Sequence, residues 1–255
     1  GMFEVFAGKY GSSTILDMQR QSGQWGKSVA MSMSEGRVES AISILESENR
    51  IKWDKNSHAS MESLIKDWNK SEYSIGDRLI LAVKNIDVAA INHGVREYLK
   101  LSGDLKGEEF AVAGNHYMQG DRVLITKTNK ELGLVNGDLA EITAVSGDKF
   151  TIKLKGDSVS GNGEGELGYR EISFNPSEYS GFRHGYATTV FKAQGASIKD
   201  VFLYHNGFAG IRNSYVALSR MVEELKLYVN KESTANVNSL ISQLSLSQLP
   251  ARGYI

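Results

Sequence analysis

The sequence predicts an α/β fold on a parallel sheet, interrupted by a small antiparallel β-barrel. Three observations predict it. The run Arg78–Val83, followed by Val88, Ile91, Val95 and Leu99 at helical spacing, reads as a buried strand feeding a helix, half of a βαβ unit. Short β-rich runs separated by Asn-Gly and Gly-Asp turns fill the chain from about 119 to 179. After Tyr179, strand and helix patterns alternate again.

Composition narrows the class. The 255 residues fit one or two domains, and 41% hydrophobic with 23% charged residues is ordinary for a folded protein. The absence of cysteine excludes a disulfide framework and any thiolate-bound metal. Lys and Arg number 29 against 30 Asp and Glu, so there is no global basic field, although a local basic groove stays compatible with nucleic acid. With 26 glycines and 2 prolines, the chain calls for tight turns and loops that approach phosphate closely. No apolar run nears the roughly 18 residues of a membrane span and no secretory signal opens the chain, so a cytoplasmic location without a membrane partner is expected. Gly1 ahead of Met2 reads as a cleavage scar, and the sequence as part of a longer protein.

The elements follow in order. Ser34–Val38 leads into an amphipathic helix carrying Ala41, Ile42, Ile44 and Leu45. A second helix starts at Ser57, with Met61, Leu64, Ile65 and Trp68 on one face. Asn85 or Asp87 caps the helix after the first strand. The barrel strands are Arg122–Thr126, Leu139–Val145, Lys149–Leu154 and Arg170–Phe174, with turns at Asn136–Asp138, Ser146–Asp148 and Gly161–Gly168. Gly76–Arg78 and Gly120–Arg122 share a tripeptide that marks the start of a strand in each case. A strand at Val201–Tyr204, a helix at Asn213–Met221, a strand at Lys226–Val229 and a helix through Leu240, Ile241 and Leu244 close the pattern.

Gly26, Lys27 and Ser28 imitate the end of a phosphate loop, but the required glycine five residues earlier is Gln21 and no apolar strand precedes it. The chain alone therefore holds no complete ATPase. The five histidines are too scattered for a metal site, and none is expected. In His184–Ser197, the side chains of Thr188, Thr189, Lys192, Gln194 and Ser197 crowd donors around Gly195, which suits a phosphate oxygen or a sugar-phosphate backbone. Arg220 ends a helix whose Tyr215, Val216 and Leu218 would pack inward, leaving the guanidinium free to meet a charged group. Taken singly, Lys192 and Arg220 also read as solvated surface charges.

The two segments His184–Ser197 and Asn213–Arg220, in that order, resemble the last two signature motifs of superfamily 1 DNA helicases, in the subgroup of RecD-like enzymes and conjugative relaxase-helicases. Tyr186, Ala187, Thr189, Lys192, Gln194, Gly195, Ser197 and Tyr215–Arg220 match the family form. Leu16–Gln21 resembles the element whose arginine, here Arg20, approaches the γ-phosphate. Ile80–Asn92 resembles the strand-to-helix segment that touches single-stranded DNA, and Phe110–Leu124 with Glu131–Gly137 resembles the start of an inserted SH3-like barrel. The ordering, together with a helical Glu35–Val38 stretch, is most similar to TraA-type relaxases of Ti-like conjugative plasmids.

The resemblance implies a RecA-like domain of the P-loop NTPase type that lacks the phosphate-loop half. Residues 1–118 and 180–255 would form it, with the SH3-like barrel inserted at 119–179. It implies Arg20 and Arg220 as catalytic arginine fingers, and Lys192, Gln194 and Gly195 as the coupling to nucleotide. Lys84, Asn85, Thr188, Thr189 and Ser197 would be the contacts to single-stranded DNA. ATP and Mg²⁺ would be held by a missing N-terminal RecA-like domain, with a possible relaxase domain upstream. The sequence departs from the family at Phe191, where His is frequent, and at Lys84, where Thr is. Phe191 cannot donate a hydrogen bond, and Lys84 holds a phosphate as a flexible point charge. The barrel aromatics Tyr169, Phe174, Tyr179 and Tyr186 read either as a platform for stacked bases or as core, and Lys127, Lys130, Lys153 and Lys155 read equally as solvated strand faces. A non-enzymatic split-gene relic or accessory DNA- or protein-binding module is the alternative reading.

Overall fold

The computed structural model describes residues 23–155, 168–190, 198–219 and 222–246. They form two compact units. One comprises the described residues up to Val88, those from Thr188 to Val190 and those from Ile198 onward, and the other runs from Ala89 to Ala187.

The first unit opens with α1 (Gln24–Ser34) and α2 (Val38–Ser47). They bury Val29, Ala30 and Met33 against Val38, Ala41, Ile42 and Leu45. Gly36 separates them at φ 74°, and the Arg37 N–H bonds the Ser32 carbonyl at 2.8 Å. The Glu35–Val38 stretch is thus a break between two helices, because a left-handed residue ends the first one. Gly26, Lys27 and Ser28 lie inside α1, where their backbone N–H groups belong to a helix and not to a phosphate-cradling loop.

Strand β1 (Ile51–Asp54) leads to α3 (Ser57–Lys70), whose first turn is capped by the Asn56 side chain accepting from the Ala59 N–H at 2.9 Å. Leu64 and Trp68 of α3 are wholly buried, which at about 1.5–3 kcal/mol per large apolar side chain holds the helix on the sheet. Next come β2 (Arg78–Ala82) and the first turn of α4 (Asn85–Ser102), whose residues from Ala89 belong to the second unit, and later β10 (Ala187–Thr189), β11 (Asp200–His205), α5 (Ile211–Leu218), β12 (Glu224–Asn230) and α6 (Val237–Ser245). The sheet order is β1-β12-β11-β2-β10. The β1–β12, β12–β11 and β11–β2 pairs are all parallel. Every residue of β11 is buried, as expected of a strand covered on both faces.

The second unit is mostly antiparallel. Between α4 and β10 lie β3 (Lys106–Val112), β4 (Asn115–Gln119), β5 (Arg122–Ile125), β6 (Leu139–Ser146), β7 (Lys149–Lys155), β8 (Tyr169–Phe174) and β9 (Phe182–His184). Strands β3 and β4 form a hairpin, and the other five make a sheet in the order β8-β7-β6-β5-β9. Val112 and Tyr117 of the hairpin join Val123, Ile142, Phe150, Phe174 and Phe182 in one apolar core. Strands β3 and β4 precede position 119 and β9 follows 179. The first is too charged, with Lys106, Glu108 and Glu109, and the last too short to stand out in sequence.

Candidate functional site

In parallel α/β sheets, ligands meet the carboxyl ends of the strands, where the following helix N-termini and loops gather. Here those ends carry a connected polar network within the first unit. Lys84, just past β2, donates from Nζ to the Asn206 carbonyl at 2.9 Å. Asn206, just past β11, is linked through Nδ2 to Asp87 at 3.5 Å and accepts at Oδ1 from Asn230 Nδ2 at 3.2 Å. Asn230, the wholly buried last residue of β12, also accepts the Ser233 N–H at 3.0 Å. Gln243 of α6 continues the chain, accepting from Thr234 at 2.8 Å, donating to the Ser233 carbonyl at 2.9 Å and meeting His205 Nε2 at 2.7 Å. Burial pushes the Asp87 carboxyl up, opposed by the Asn206 hydrogen bond and the Lys84 charge. Lys84 and Asn85 are exposed, so a cation and an amide stand at the start of α4, the lysine tied to this network through the Asn206 carbonyl.

A small cavity of about 30 Å³ lies beneath it. Its walls include Ala82 and Val83 from the end of β2, Val190 from just after β10, His205, and Asn213, Ser214 and Ala217 of α5. The two segments matched to helicase motifs and the Lys84 loop therefore share one wall of the first unit. Helix α5 is anchored by the buried Ser214 hydroxyl, which donates to the Gly210 carbonyl at 2.7 Å and to the Leu244 carbonyl at 3.0 Å. Val216 and Leu218 are buried as the spacing required, whereas Tyr215, expected inward, is half-buried.

Other expected site residues are placed differently. Thr189 is half-buried at the end of β10. Thr188 is wholly buried and its Oγ1 has no hydrogen-bond partner. Alternation along the strand turns Thr188 into the interior, so the expected direct contact of its hydroxyl with a DNA backbone does not hold in this conformation. Arg20, Lys192, Gln194, Gly195, Ser197 and Arg220, together with Phe191, lie outside the described residues. Among the barrel aromatics only Tyr169 is exposed, with Lys153 Nζ 4.3 Å from its ring centroid. Phe174, Tyr179 and Tyr186 are core.

The second unit braces the start of the motif segment from within. Asn92 of α4 donates to the Ala187 carbonyl at 3.0 Å and accepts the Ala187 N–H at 2.8 Å. One turn further on, Arg96 Nε lies 3.2 and 3.1 Å from the two oxygens of Asp121, which is wholly buried. Asp121 also accepts from the Tyr186 hydroxyl at 2.6 Å and the Met118 N–H at 2.7 Å. Burial, and next the Asp121 charge, raise the Tyr186 phenol well above its usual range. Gly185 brings the backbone so close to β5 that a Cβ there would lie 2.7 Å from the Leu124 nitrogen. None of Asn92, Arg96, Asp121, Asn206, Asn230 and Gln243 was singled out from sequence. The available signal was a polar residue interrupting an apolar helix face or closing an apolar strand.

Two imidazoles, His205 buried and His184 half-buried, give a pH prediction. Burial is the largest influence on both His205 and His184 and lowers each pKa. Their folded values thus fall below the unfolded value of about 6.5. Their stabilising contribution is complete above that pH and is lost as the pH falls through it toward the folded values. The upward shifts at Asp87 and Asp200, both led by burial, have the opposite sign but act in the carboxylate range. The melting temperature is expected to drop between about pH 7.5 and 5.5, and His205→Gln should shrink the drop. Calorimetry showing a rise on acidification would contradict this.

Among the described residues no cluster of three His, Asp or Glu side chains could hold a metal ion, and no helix is long and apolar enough to cross a membrane. No family model matches the chain. Over 96% of its length it is similar to the conjugal transfer protein TraA of Rhizobium radiobacter, with 28% identity across 248 residues. The TraA of Agrobacterium fabrum is 27% identical across 263 residues, covering 95% of the chain. In each case the match covers 22% of the relative, so the chain spans about a fifth of the curated relatives' length. Among solved structures, Bacteroides Pif1 bound to single-stranded DNA aligns with 87% of this chain and 53% of its own, at 14% identity and a TM-score of 0.46.

Proposed function

We propose that the chain is the second motor domain of an ATP-dependent DNA helicase-relaxase for conjugative plasmid transfer. The observation that carries this reading is the shared cavity wall on the parallel sheet. There the ends of β2 and β10 and helix α5, the segments singled out by motif, meet beside an exposed cation at a helix start. The similarity to conjugal transfer protein TraA over nearly the whole chain supports it.

In this reading a preceding RecA-like half, in a longer protein, holds ATP and Mg²⁺ through its phosphate loop, and a relaxase domain can precede that. Arg20 and Arg220 present guanidinium charge where charge develops on the γ-phosphate, the arginine-finger role. Lys192, Gln194 and Gly195 couple that site to the DNA track, and Lys84, Asn85, Thr189 and Ser197 hold the sugar-phosphate backbone of a single strand. Thr188, given its burial, supports the strand from behind. The second unit is read as the inserted SH3-like barrel.

Backbone contacts carry no sequence information, so binding should tolerate any sequence and weaken with salt. With a net charge of −1 the 255-residue chain binds weakly, and low salt is the condition for measuring it. Fluorescence anisotropy with two labelled 15-mers of unrelated sequence, at roughly 20–200 mM NaCl, should give equal affinities that fall steeply with salt, and Lys84→Gln should lower both. Site-specific, salt-insensitive binding would contradict the reading.

A further inference from the structure

Strand register sets Lys84, Asn206 and Asn230 in one row across the carboxyl end of the parallel sheet. Tyr204 of β11 pairs with Ala82 of β2, and His205 of β11 pairs with Val229 of β12. Carried just past those pairs, the same register puts Asn206 between Lys84 on one side and Asn230 on the other. The side chains follow the row. Lys84 Nζ donates to the Asn206 carbonyl at 2.9 Å, and Asn230 Nδ2 donates to Asn206 Oδ1 at 3.2 Å.

The ammonium at the end of this row is held without being neutralised. Lys52 and Lys226 lie 3.9 and 3.5 Å from Asp67, and Lys100 lies 2.9 Å from Glu109, so each of these turns its charge to an acid. Lys84 instead gives one of its three N–H donors to a neutral carbonyl, which fixes its direction. The residue is exposed, so the charge and the other two donors stay open to a ligand. Asp87, the acid in the first turn of α4, is linked to Asn206 Nδ2 at 3.5 Å. A free lysine head samples many rotamers, and fixing it at the moment of binding costs affinity. The carbonyl can hold it beforehand only if its own peptide is fixed. Strand β11 ends at His205 and Gly207 stands at φ 90°, so side-chain bonds rather than the sheet ladder supply that hold. Asn230 is the anchor: it is wholly buried, and its Oδ1 accepts the Ser233 N–H at 3.0 Å while its Nδ2 bonds Asn206.

We propose that Asn206 and Asn230 are positioning residues that hold the Lys84 ammonium ready for one phosphate of a single-stranded DNA backbone. The ligand comes from the single-strand-binding reading, on which this assignment rests; the row adds what aims the lysine. Anisotropy with labelled oligo-dT at low salt tests it on the parent chain, Lys84→Gln, Asn206→Ala and the double variant. Lys84→Gln removes a charged contact and should weaken binding about tenfold. Asn206→Ala keeps the charge and loses its aim, so it should weaken binding about threefold. The double variant should bind no more weakly than Lys84→Gln alone, because no ammonium is left to aim. Asn206 is half-buried and tolerates truncation better than the wholly buried Asn230. Asn230→Ser, which draws the donor out of reach of Asn206, should repeat the Asn206→Ala pattern.

A second arm reads the lysine directly, without DNA. Trace acylation with acetic anhydride and peptide mass spectrometry give the reactivity of Lys84 relative to Lys130, an exposed lysine of the second unit. A head tied to a carbonyl reacts more slowly than a free one, so the ratio should rise about threefold in Asn206→Ala. If Asn206→Ala weakens oligonucleotide binding by the same factor with and without Lys84, or in neither background, the two asparagines are merely structural and the single-strand reading stands without them. If the acylation ratio does not change, the row does not hold the lysine and the assignment fails whatever the DNA shows. If acylation rises but the parent chain ignores the oligonucleotide, a DNA phosphate is not the ligand, and the assignment falls together with the single-strand reading.

Discussion

Arg220→Ala in the full-length protein is expected to abolish ATP-driven unwinding while single-strand binding survives. An arginine finger is worth about 10³–10⁵ in turnover, or roughly 4–7 kcal/mol of transition-state stabilisation. In the proposed arginine-finger role the charge is needed only as the phosphoryl group departs, so loss should fall on turnover far more than on affinity for the strand. The residue follows α5 closely, and the buried Val216, Ala217 and Leu218 together with the doubly bonded Ser214 hold that helix regardless of position 220. The variant should therefore fold normally. Unwinding at the parent rate would remove Arg220 from the mechanism.

The second large effect is on stability. Asp121→Ala leaves the Arg96 guanidinium, 8% exposed, without its buried counter-charge, and removes the acceptor of the Tyr186 hydroxyl and the Met118 N–H. Breaking a buried pair in this way costs about 3–5 kcal/mol, a large part of the 5–15 kcal/mol that holds a typical domain together. The expected loss in melting temperature is on the order of 10 °C. Replacing both partners by leucine should recover much of it, since the penalty comes from the uncompensated charge and not from the absence of a pair. Calorimetry on the two variants and the parent chain measures this, and an unchanged midpoint for Asp121→Ala would show that the network carries little stability.

The sequence and the structure agree where a pattern is long and one-sided. The Arg78–Val83 run, the α3 face of Leu64 and Trp68, and the strand-helix alternation after Ile198 all had apolar periodicity, and each lies where that periodicity put it. Strand β1 escaped notice because Ile51 and Trp53 alternate with Lys52 and Asp54 for only four residues. Its partner is β12, more than 170 residues away, and no local pattern reports that pairing. Lys84 and Asn85 were legible because they break an apolar run just before a helix. Asn206, Asn230 and Gln243 were not, since an amide at the end of a strand or on a helix looks like any solvated residue until the fold brings them together. Arg96 and Asp121 were invisible for a related reason. A charge on an amphipathic helix and an acid before a strand both read as solvated, and only the fold reveals that each buries the other. Thr188 shows the converse: composition marked it as a donor, and the two-residue period of a strand turned it inward.

The central claim is that this chain is one half of a motor, completing a nucleotide site that it does not contain. Single-strand-stimulated ATP hydrolysis, measured side by side on the 255-residue chain and on the full-length protein, tests it most directly. Hydrolysis is expected from the full-length protein and none above background from the chain alone. Strand-stimulated hydrolysis by the isolated chain would contradict the account.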